Sequence, residues 1–479
     1  MRKAVLIISF SWLTLLSFPQ GKSFNSFLSD SAMTYSSVSF CVADAENGEV
    51  MMEYNSGKSL APASIMKLIT TAAALELLGP EYTFKTKLGY TGSLNKNSGK
   101  LTGNIVITGG GDPSLGSPYF SDHYKDFPDK WIMEIKKLGI KKIDGRVITD
   151  DSYYDYLPVP SKWLWEDAGN YYGAGVYGLS AFDNTYEIHI NTLADSTRPV
   201  ITKSVPCECK NEFSNWLVAS GTKDEGYVFA APYSTTGWLT GTIPSKMEDF
   251  VLKASIPDPP LLMARMVTER LEAAGISVSE DPTTVRIEHK SISDEIVPVS
   301  ETISPPLAGI IKVLNNESVN LYAEHLIKEL GRNFKNNSST ASGVDVVKEF
   351  LNNCGINTDG MFISDGSGLS PGNAINTREL VRLLVYMKNN GKYFQDYYAS
   401  LPAAGKEGTL RYYFKDPAFK SRLKAKSGSM TRVRSYSGYF TTISGKNLAF
   451  SIIINNYSGP SKNIISGIEE ILKEIILTK

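Results

Sequence analysis

A serine and a lysine stand three positions apart in the segment SIMKLITTAAALELL, residues 64–78. The segment is rich in helix-forming residues and ends at Gly79, which is followed by proline, a helix stop signal. In such a helix Ser64 lies in the first turn and Lys67 one turn later on the same face. A serine hydroxyl becomes a nucleophile when a base removes its proton, and an amine at this spacing can reach it. The pair therefore predicts nucleophilic catalysis through a serine ester.

The same pair has a structural interpretation. Serine is a common first residue of a helix, and a lysine near a helix end can extend into solvent. A lone Ser-x-x-Lys pattern therefore identifies no active site by itself, and a catalytic role requires partners elsewhere in the chain.

Two further polar motifs follow in the order that such a site requires. Ser318 and Asn320 form a Ser-x-Asn motif at the start of a helical pattern, and Lys426 begins the motif Lys-Ser-Gly-Ser on a segment that enters a hairpin. Each motif alone fits a helix cap or a solvated turn. Ser-x-x-Lys, Ser-x-Asn and Lys-Ser/Thr-Gly in this order are together the motif set of serine β-lactamases and penicillin-binding proteins.

The chain resembles the class C low-molecular-mass penicillin-binding proteins, the D-alanyl-D-alanine carboxypeptidase/endopeptidase family, also called peptidase family S13. The likeness covers nearly the whole chain and includes ITGGGDPSL at 107–115, the tryptophan-rich block PSKWLWEDAGNYYGAGVYGLSAFDN at 160–184, and SDGSGLSPGN at 364–373. It departs at Ser427, where the family usually has threonine, and at Pro371, where it tends to have a basic residue. Because a hydroxyl survives at 427, we expect activity to persist.

The resemblance implies acyl transfer from a peptide ending in D-Ala-D-Ala, through a covalent ester on Ser64. It makes Lys67 the general base, since burial and the nearby charge of Lys426 would lower its pKa. Ser318 would relay the proton to the leaving amine, and Asn320 would hydrogen-bond the substrate amide.

The resemblance also assigns substrate contacts to the third motif. Lys426 and Ser427 would receive the terminal carboxylate, and the backbone N–H groups of Ser64 and Ser429 would form the oxyanion hole. The expected substrate-binding residues are Ser427, Gly428 and Ser429. Asp167, in the tryptophan-rich block, is expected to meet a cationic peptide side chain.

This chemistry needs no metal and no cofactor. The four histidines are widely scattered, so a zinc site lacks ligands at the usual spacing. His325 follows Ser318 by seven residues, about 10 Å along a helix axis, and is interpreted as a packed or surface histidine rather than a triad member. The expected partners are peptidoglycan peptides and β-lactam antibiotics.

The elements that must position these residues come from both ends of the chain. Two strands flank an Asn-Gly turn within residues 37–55, and a second hairpin precedes a final amphipathic helix at 460–477. These patterns predict an α/β fold of the α+β type, with a penicillin-binding/β-lactamase-like antiparallel sheet and flanking helices. Further helical patterns cover 306–331, 344–353 and 377–389.

The middle of the chain has a different pattern of apolar and polar residues. Alternating apolar and polar stretches with glycine-rich turns predict a β-rich insertion at 89–292. The expected catalytic domain therefore combines residues 24–88 and 293–479, which agrees with the two or three domains expected for 479 residues.

The first residues predict export. A basic pair precedes an apolar run that ends near Phe18, the layout of a signal peptide at 1–23, although a helical membrane anchor fits the same run. We expect a periplasmic or otherwise extracytoplasmic protein with no stable membrane insertion. A net charge of −1 argues against a nucleic-acid partner.

Four cysteines do not make a disulfide scaffold in a chain of this length. We expect ordinary thiols at Cys41 and Cys354, and thiols or one local bridge at Cys207 and Cys209.

Two other functions compete with the D-Ala-D-Ala peptidase. A serine β-lactamase would use the same nucleophile with fast deacylation, and a non-catalytic wall-binding scaffold would keep only the fold. The length of the insertion argues against the first, and the complete motif set argues against the second.

Overall fold

The computed structural model describes residues 21–206 and 212–479. Its α-helices are, in chain order, α1 Lys22–Leu28, α2 Lys67–Leu78, α3 Ser121–Tyr124, α4 Phe127–Lys137, α5 Pro259–Ala273, α6 Val285–Glu288, α7 Leu307–Glu317, α8 Asn320–Lys335, α9 Thr340–Asn353, α10 Thr377–Asn390, α11 Phe394–Ala399 and α12 Ser461–Thr478. Its strands are β1 Ser37–Asp44, β2 Val50–Tyr54, β3 Lys85–Tyr90, β4 Ser93–Asn95, β5 Lys100–Thr102, β6 Ile105–Thr108, β7 Lys142–Asp144, β8 Val147–Asp150, β9 Thr185–Asn191, β10 Val200–Val205, β11 Glu212–Ala219, β12 Glu225–Ala230, β13 Thr236–Ile243, β14 Phe250–Ser255, β15 Ser277–Val278, β16 Thr283–Thr284, β17 Val297–Ile303, β18 Leu423–Met430, β19 Val433–Thr441 and β20 Asn447–Asn455.

The central sheet joins the two ends of the chain. Its strand order is β18-β19-β20-β1-β2, and every neighbouring pair is antiparallel. Strand β1 pairs with β20 along its full length, from Ser37 opposite Asn455 to Asp44 opposite Leu448. The predicted fold class, an antiparallel sheet assembled from both termini, is confirmed.

Both faces of this sheet are covered. Cys41 and Ala43 of β1 enter a core with α2, α7, α8, α9 and α10, whereas Phe40 and Val42 enter a second core with α12 and α1. Because successive side chains of a strand point to opposite faces, a strand buried on both sides reads as a continuous apolar run.

The described residues between α2 and α7 form four further sheets. Their strand orders are β16-β8-β6-β3-β17, β15-β7-β5-β4, β10-β9-β14 and β11-β13-β12. Helices α4 and α5 were not predicted from the strand patterns. Trp131 of α4 and Val267 of α5 share one apolar cluster with Leu88 of β3 and Ile107 of β6.

Two predicted helices differ in ways that matter for the site. The pattern at 306–331 is two helices, because Ser318 adopts a left-handed conformation with φ of 62° between α7 and α8. The helix expected from Ser64 begins at Lys67, and residues Ala63–Met66 form a 3₁₀ turn before it.

The predictions for the signal peptide, the cysteines and membrane insertion are tested only in part. Residues 1–20 of the predicted signal peptide, and both Cys207 and Cys209, lie outside the described residues. Cys41 and Cys354 are free thiols. Within residues 21–206 and 212–479, no helix is both long and apolar enough to cross a bilayer.

Candidate active site

Ser64 and Lys67 meet at the entrance of α2. The first nine residues of this helix, Lys67 to Leu75, are all buried, as expected for a helix that is apolar on every side. The helix thereby carries Lys67 into the interior, where the amine is completely buried. Ser64 stays partly exposed in the preceding turn, and Lys67 Nζ donates to Ser64 Oγ over 3.0 Å.

Two other groups complete the surroundings of Lys67. Its Nζ donates to Asn320 Oδ1 over 2.6 Å and to the Ser367 carbonyl over 2.8 Å. Burial lowers the pKa of Lys67 to about 7, although the charges of Asp365 and Glu324 oppose the shift. A substantial fraction of this amine is therefore neutral near pH 7 and able to accept a proton.

The junction of α7 and α8 delivers the second motif. The left-handed conformation of Ser318 ends one helix and turns the chain so that Asn320 begins the next. Asn320 is held from both ends, because its Oδ1 accepts from Lys67 and its Nδ2 donates to the Tyr172 carbonyl over 2.8 Å. An amide fixed in this way keeps one orientation at the site.

Lys426 of β18 reaches the same place from the sheet. Its buried Nζ donates to Ser318 Oγ and to the Ser427 carbonyl, both over 2.9 Å. Burial, followed by the positive charge of Lys67, holds the pKa of Lys426 well below its usual range, while Glu317 opposes the shift. Ser318 is thus hydrogen-bonded to an amine that can donate a proton.

Gly428 allows β18 to pass directly beside the nucleophile. A Cβ atom there would lie 2.2 Å from Ser435 Oγ, 2.7 Å from the Pro62 carbonyl oxygen and 2.9 Å from Ser64 N. Ser435 Oγ in turn donates to the Pro62 carbonyl over 2.5 Å. This contact fixes the backbone of the Ser64 turn against the edge of the sheet.

The loop 364–373 forms the opposite wall and presents the Ser367 carbonyl to Lys67. Glu324 accepts the Ser367 N–H over 2.7 Å and the Gly366 N–H over 3.1 Å. Burial and the neighbouring charge of Asp365 raise the pKa of Glu324. Asp365 accepts four hydrogen bonds, including one from Trp163 Nε1 over 2.8 Å. Two buried carboxylates therefore hold the loop in place.

The comparisons with known proteins agree with this geometry. The sequence profile of the D-Ala-D-Ala carboxypeptidase 3 (S13) family matches residues 20–475. The chain belongs to this family. The predicted family is therefore confirmed, and with it the predicted enzyme class, a serine-type D-Ala-D-Ala carboxypeptidase.

Individual relatives of this S13 chain are moderately similar. A D-alanyl-D-alanine carboxypeptidase of Actinomadura sp. (strain R39) is 28% identical over 447 residues, which cover 91% of this chain and 80% of that protein. D-alanyl-D-alanine carboxypeptidase DacB of Haemophilus influenzae is 24% identical over 432 residues, which cover 88% of this chain and 86% of the relative.

The crystal structure of penicillin binding protein 4 (dacB) from Haemophilus influenzae shares the fold. It superposes with a TM-score of 0.77 at 22% identity, covering 92% of this S13 chain and 96% of that one. A second crystal structure of that protein, complexed with a β-lactam, has a TM-score of 0.73 and 21% identity, with coverage of 92% and 96%.

The structure also places residues outside the three motifs. His325 is buried in the core, where its ring nitrogens lie 2.9 Å from the Gly111 carbonyl and 3.0 Å from Ser180 Oγ. Asp167 is also buried, with 7% of its surface exposed, and burial raises its pKa. Its contact with a cationic peptide side chain stays a prediction.

Sequence reasoning missed several contributors to the site, among them Trp163, Tyr172, Glu324, Asp365 and Ser367. Glu324 had a usable signal, since it follows Asn320 by four residues and shares its helix face. The others left no local pattern. Tyr172 acts through its backbone carbonyl, which any residue type carries, and Trp163 and Asp365 are 202 residues apart in sequence.

Proposed function

We propose that this S13 protein is a serine D-Ala-D-Ala carboxypeptidase that is also an endopeptidase, acting on peptidoglycan stem peptides through an acyl-enzyme on Ser64. The observation that carries the proposal is the 3.0 Å contact of Ser64 Oγ with Lys67 Nζ, an amine whose pKa burial lowers to about 7. Such a pair activates a hydroxyl at neutral pH.

Acylation begins when neutral Lys67 takes the Ser64 proton. The Oγ attacks the carbonyl carbon of the penultimate D-alanine, and a C–O bond forms as the carbonyl π electrons move to oxygen. The backbone N–H groups of Ser64 and Ser429 stabilise this oxyanion, which is supported by the close passage of β18 past Ser64 N at Gly428.

The peptide bond then breaks with protonation of its nitrogen. Ser318 gives its proton to the leaving amine and is reprotonated by Lys426, to which it is hydrogen-bonded over 2.9 Å. D-alanine leaves, and the shortened peptide remains as an ester on Ser64. One water hydrolyses the ester: its hydroxyl goes to the acyl carbon and its remaining proton to Ser64 Oγ, which gives the free peptide acid and the restored serine. The proton that Lys67 took from Ser64 replaces the one that Lys426 gave up, so both lysines return to their starting states.

The third motif recognises the terminal carboxylate. Lys426 Nζ and the Ser427 hydroxyl receive it. The Ser427 hydroxyl donates to Thr409 Oγ1 over 2.7 Å in the free protein and turns its one proton to the carboxylate when the substrate binds. A cross-link between stem peptides also follows a D-alanine and has a carboxylate beside the cleaved bond. This likeness supports endopeptidase activity in the same site.

A β-lactamase needs a general base that activates water, so that the acyl-enzyme is hydrolysed quickly. Glu166 and Asn170 form the pattern Glu-x-x-x-Asn, which resembles the loop that carries this base in class A β-lactamases. Asn170 is used structurally instead, because its Nδ2 donates to the Glu166 carbonyl and its Oδ1 accepts from Val228 N. This use supports slow release of a bound penicillin.

We propose that residues 1–23 direct export to the periplasm or another extracytoplasmic space. This location suits the proposed substrate and the β-lactam antibiotics that would acylate Ser64. The signal-peptide pattern at the start of the sequence supports this assignment.

The test is mass spectrometry of purified muropeptides treated with the protein, with Ser64→Ala as the control. Pentapeptides should lose one D-alanine and cross-linked dimers should become monomers. If penicillin acylates Ser64 but neither substrate is cleaved, the proposed hydrolase activity is refuted. If pentapeptides are cleaved and dimers are not, only the proposed endopeptidase activity is refuted.

A further inference from the structure

The sheet β11-β13-β12 of the insertion presents aromatic rings to solvent. Trp216 is 60% exposed, and Tyr227 and Trp238 are each 40% exposed. Trp238 pairs across the strands with Phe229, and their rings stack 5.2 Å apart. Trp165 packs 6.1 Å from Trp238 and still has half of its surface exposed. We call these five residues the aromatic face.

Strand alternation explains why these rings are outside. Leu217, Val228 and Leu239 alternate with them and enter the apolar core on the other side of the sheet. The burial patterns of the three strands show this alternation directly. An exposed aromatic cluster of this size on a soluble protein marks an interaction site more often than chance exposure.

The polar groups among the rings are mostly hydroxyls. The outward residues of the central strand β13 are Thr236, Trp238, Thr240 and Thr242, and none carries a charge. The charged residues of this face on the neighbouring strands are at its two ends, where Glu212 stands opposite Thr236 and Glu225 opposite Thr242. Arg198 lies over the Trp216 ring, 5.2 Å from its centroid. A nucleic acid or an anionic bilayer requires clustered lysine and arginine, whereas neutral hydroxyls between aromatic rings suit an uncharged polyol.

The aromatic face is continuous with the candidate active site. Trp165 stands two residues after Trp163, which donates to Asp365 beside Lys67. The same segment continues to Tyr172, whose carbonyl holds Asn320.

Strand β12 also contacts the segment 163–172. Asn170 accepts the Val228 N–H over 3.1 Å, and Gly169 lies so close that a Cβ would be 2.0 Å from the Val228 carbonyl oxygen. Tyr172 and Tyr227 line one pocket of about 570 Å³, together with Glu187 of β9 and Lys253 of β14.

We propose that the aromatic face binds the glycan strand of peptidoglycan, a chain of N-acetylated amino sugars. The proposal rests on the proposed function, because the stem peptide is covalently attached to that strand. A pentapeptide spans at most about 17 Å, so the glycan strand of a peptide bound at Ser64 lies within that distance of the nucleophile. The C–H face of a sugar ring stacks on an aromatic ring, and its hydroxyl and acetamido groups bond to the threonine hydroxyls.

The test uses peptide-free glycan strands, prepared by removing the stem peptides from peptidoglycan, and the full chain. Binding is measured by calorimetry and by tryptophan fluorescence. Trp165→Ala and Trp238→Ala should each weaken binding about tenfold. Tyr35→Ala is the matched control, since Tyr35 is 83% exposed and lies outside the insertion; its affinity should equal that of the unmodified protein.

A second measurement separates the glycan surface from the catalytic site. With a sugar-free pentapeptide, the tryptophan variants should keep the original kcat and KM, and penicillin should acylate Ser64 at the original rate. With glycan-linked pentapeptide their KM should rise about tenfold at unchanged kcat.

Three results would overturn the proposal. One is equal glycan affinity in all variants, and another is no glycan binding by an unmodified protein that hydrolyses the sugar-free pentapeptide. The third is concentration-dependent dimerisation that Trp238→Ala abolishes, without glycan binding, which would assign the face to a second copy of the chain. Glycan binding without any pentapeptide hydrolysis would refute the proposed function and support the glycan-binding role of the aromatic face.

Discussion

The hydrogen-bond partners of Lys67 are neutral oxygens: a serine hydroxyl, an asparagine amide oxygen and a backbone carbonyl. None of the three compensates a full charge as a carboxylate would, so desolvation dominates and lowers the pKa to about 7. The charges of Glu324 and Asp365 act on Lys67 from behind the Ser367 loop. This arrangement keeps the amine buried, hydrogen-bonded and still able to act as a base.

The pH dependence of acylation follows from that pKa. Lys67 is charged below about pH 7 and neutral above it. The rate constant for acylation by penicillin should therefore fall about tenfold per pH unit below pH 7 and level off above it. Rates measured with a fluorescent penicillin from pH 5 to pH 9 test this, with Lys67→Ala expected to be inactive throughout. A flat profile in the unmodified protein would assign the base to another group.

Glu324 should prove to be a positioning residue. Glu324→Ala leaves the N–H groups of Gly366 and Ser367 without their acceptor, so unfolding free energy should fall by about 2–4 kcal/mol. The Ser367 carbonyl would also shift from Lys67, and acylation should slow at least tenfold. Urea unfolding and penicillin acylation measure the two effects.

The matched control is Glu329→Ala on the same helix. Glu329 accepts hydrogen bonds from the hydroxyls of Tyr82, Tyr153 and Tyr154, away from Lys67. Its removal should also lower stability but leave acylation of the folded protein nearly unchanged. Equal acylation rates in both variants would contradict the positioning role of Glu324.

At the scale of elements, the approach of β18 to the Ser64 turn depends on a missing side chain. Gly428→Ala would place a methyl group 2.7 Å from the Pro62 carbonyl oxygen and 2.9 Å from Ser64 N, both backbone atoms that cannot rotate away. The strand must then move outward, and the oxyanion donors separate. Acylation should fall about 100-fold or more, the usual effect of losing one such donor.

Gly57→Ala provides the control for this substitution. A Cβ at Gly57 meets no atom within 4 Å, and its backbone is not left-handed. Its acylation rate and melting temperature should match those of the unmodified protein. An active Gly428→Ala variant would show that β18 does not determine the oxyanion geometry.

At the scale of the whole molecule, α8 packs against the region between α2 and α7. His325 contacts Gly111 and Ser180, the buried Lys328 forms an ion pair with the half-buried Asp155, and Glu329 accepts from Tyr153 and Tyr154. We propose that the inserted unit is bounded by the antiparallel pair β3 and β17, close to the predicted limits of 89 and 292.

Acid should weaken this junction through His325. Burial lowers its pKa from 6.5 to about 3, so the unfolded state binds the extra proton between those values. The stability contributed by neutral His325 is fully present above pH 6.5 and falls by up to about 1.4 kcal/mol per pH unit below it. Urea unfolding at pH 7, 6 and 5 should show a steeper loss in the unmodified protein than in His325→Gln. Parallel losses would contradict this assignment.

Short-range spacing was enough to predict much of this protein from its sequence. Ser64 and Lys67 are neighbours on one turn, the β1–β2 pattern pairs across an Asn-Gly turn, and each of the three motifs is only a few residues long. These features depend on residues a few positions apart, so they can be read locally. Helices α4 and α5 were not predicted although they span 11 and 15 residues, because the alternating stretches elsewhere in residues 89–292 led to a strand-rich prediction for the whole region.

The tertiary structure decided everything that depends on groups distant in sequence. Asn320 and Ser367 reach Lys67 from 253 and 300 residues away, and Lys426 meets Ser318 across 108 residues. The pKa of an amine is determined by the water it loses and the charges that surround it, and both are known only after the chain has folded. The sequence alone therefore named the candidate residues, and the fold determined that burial lowers the pKa of Lys67 to about 7.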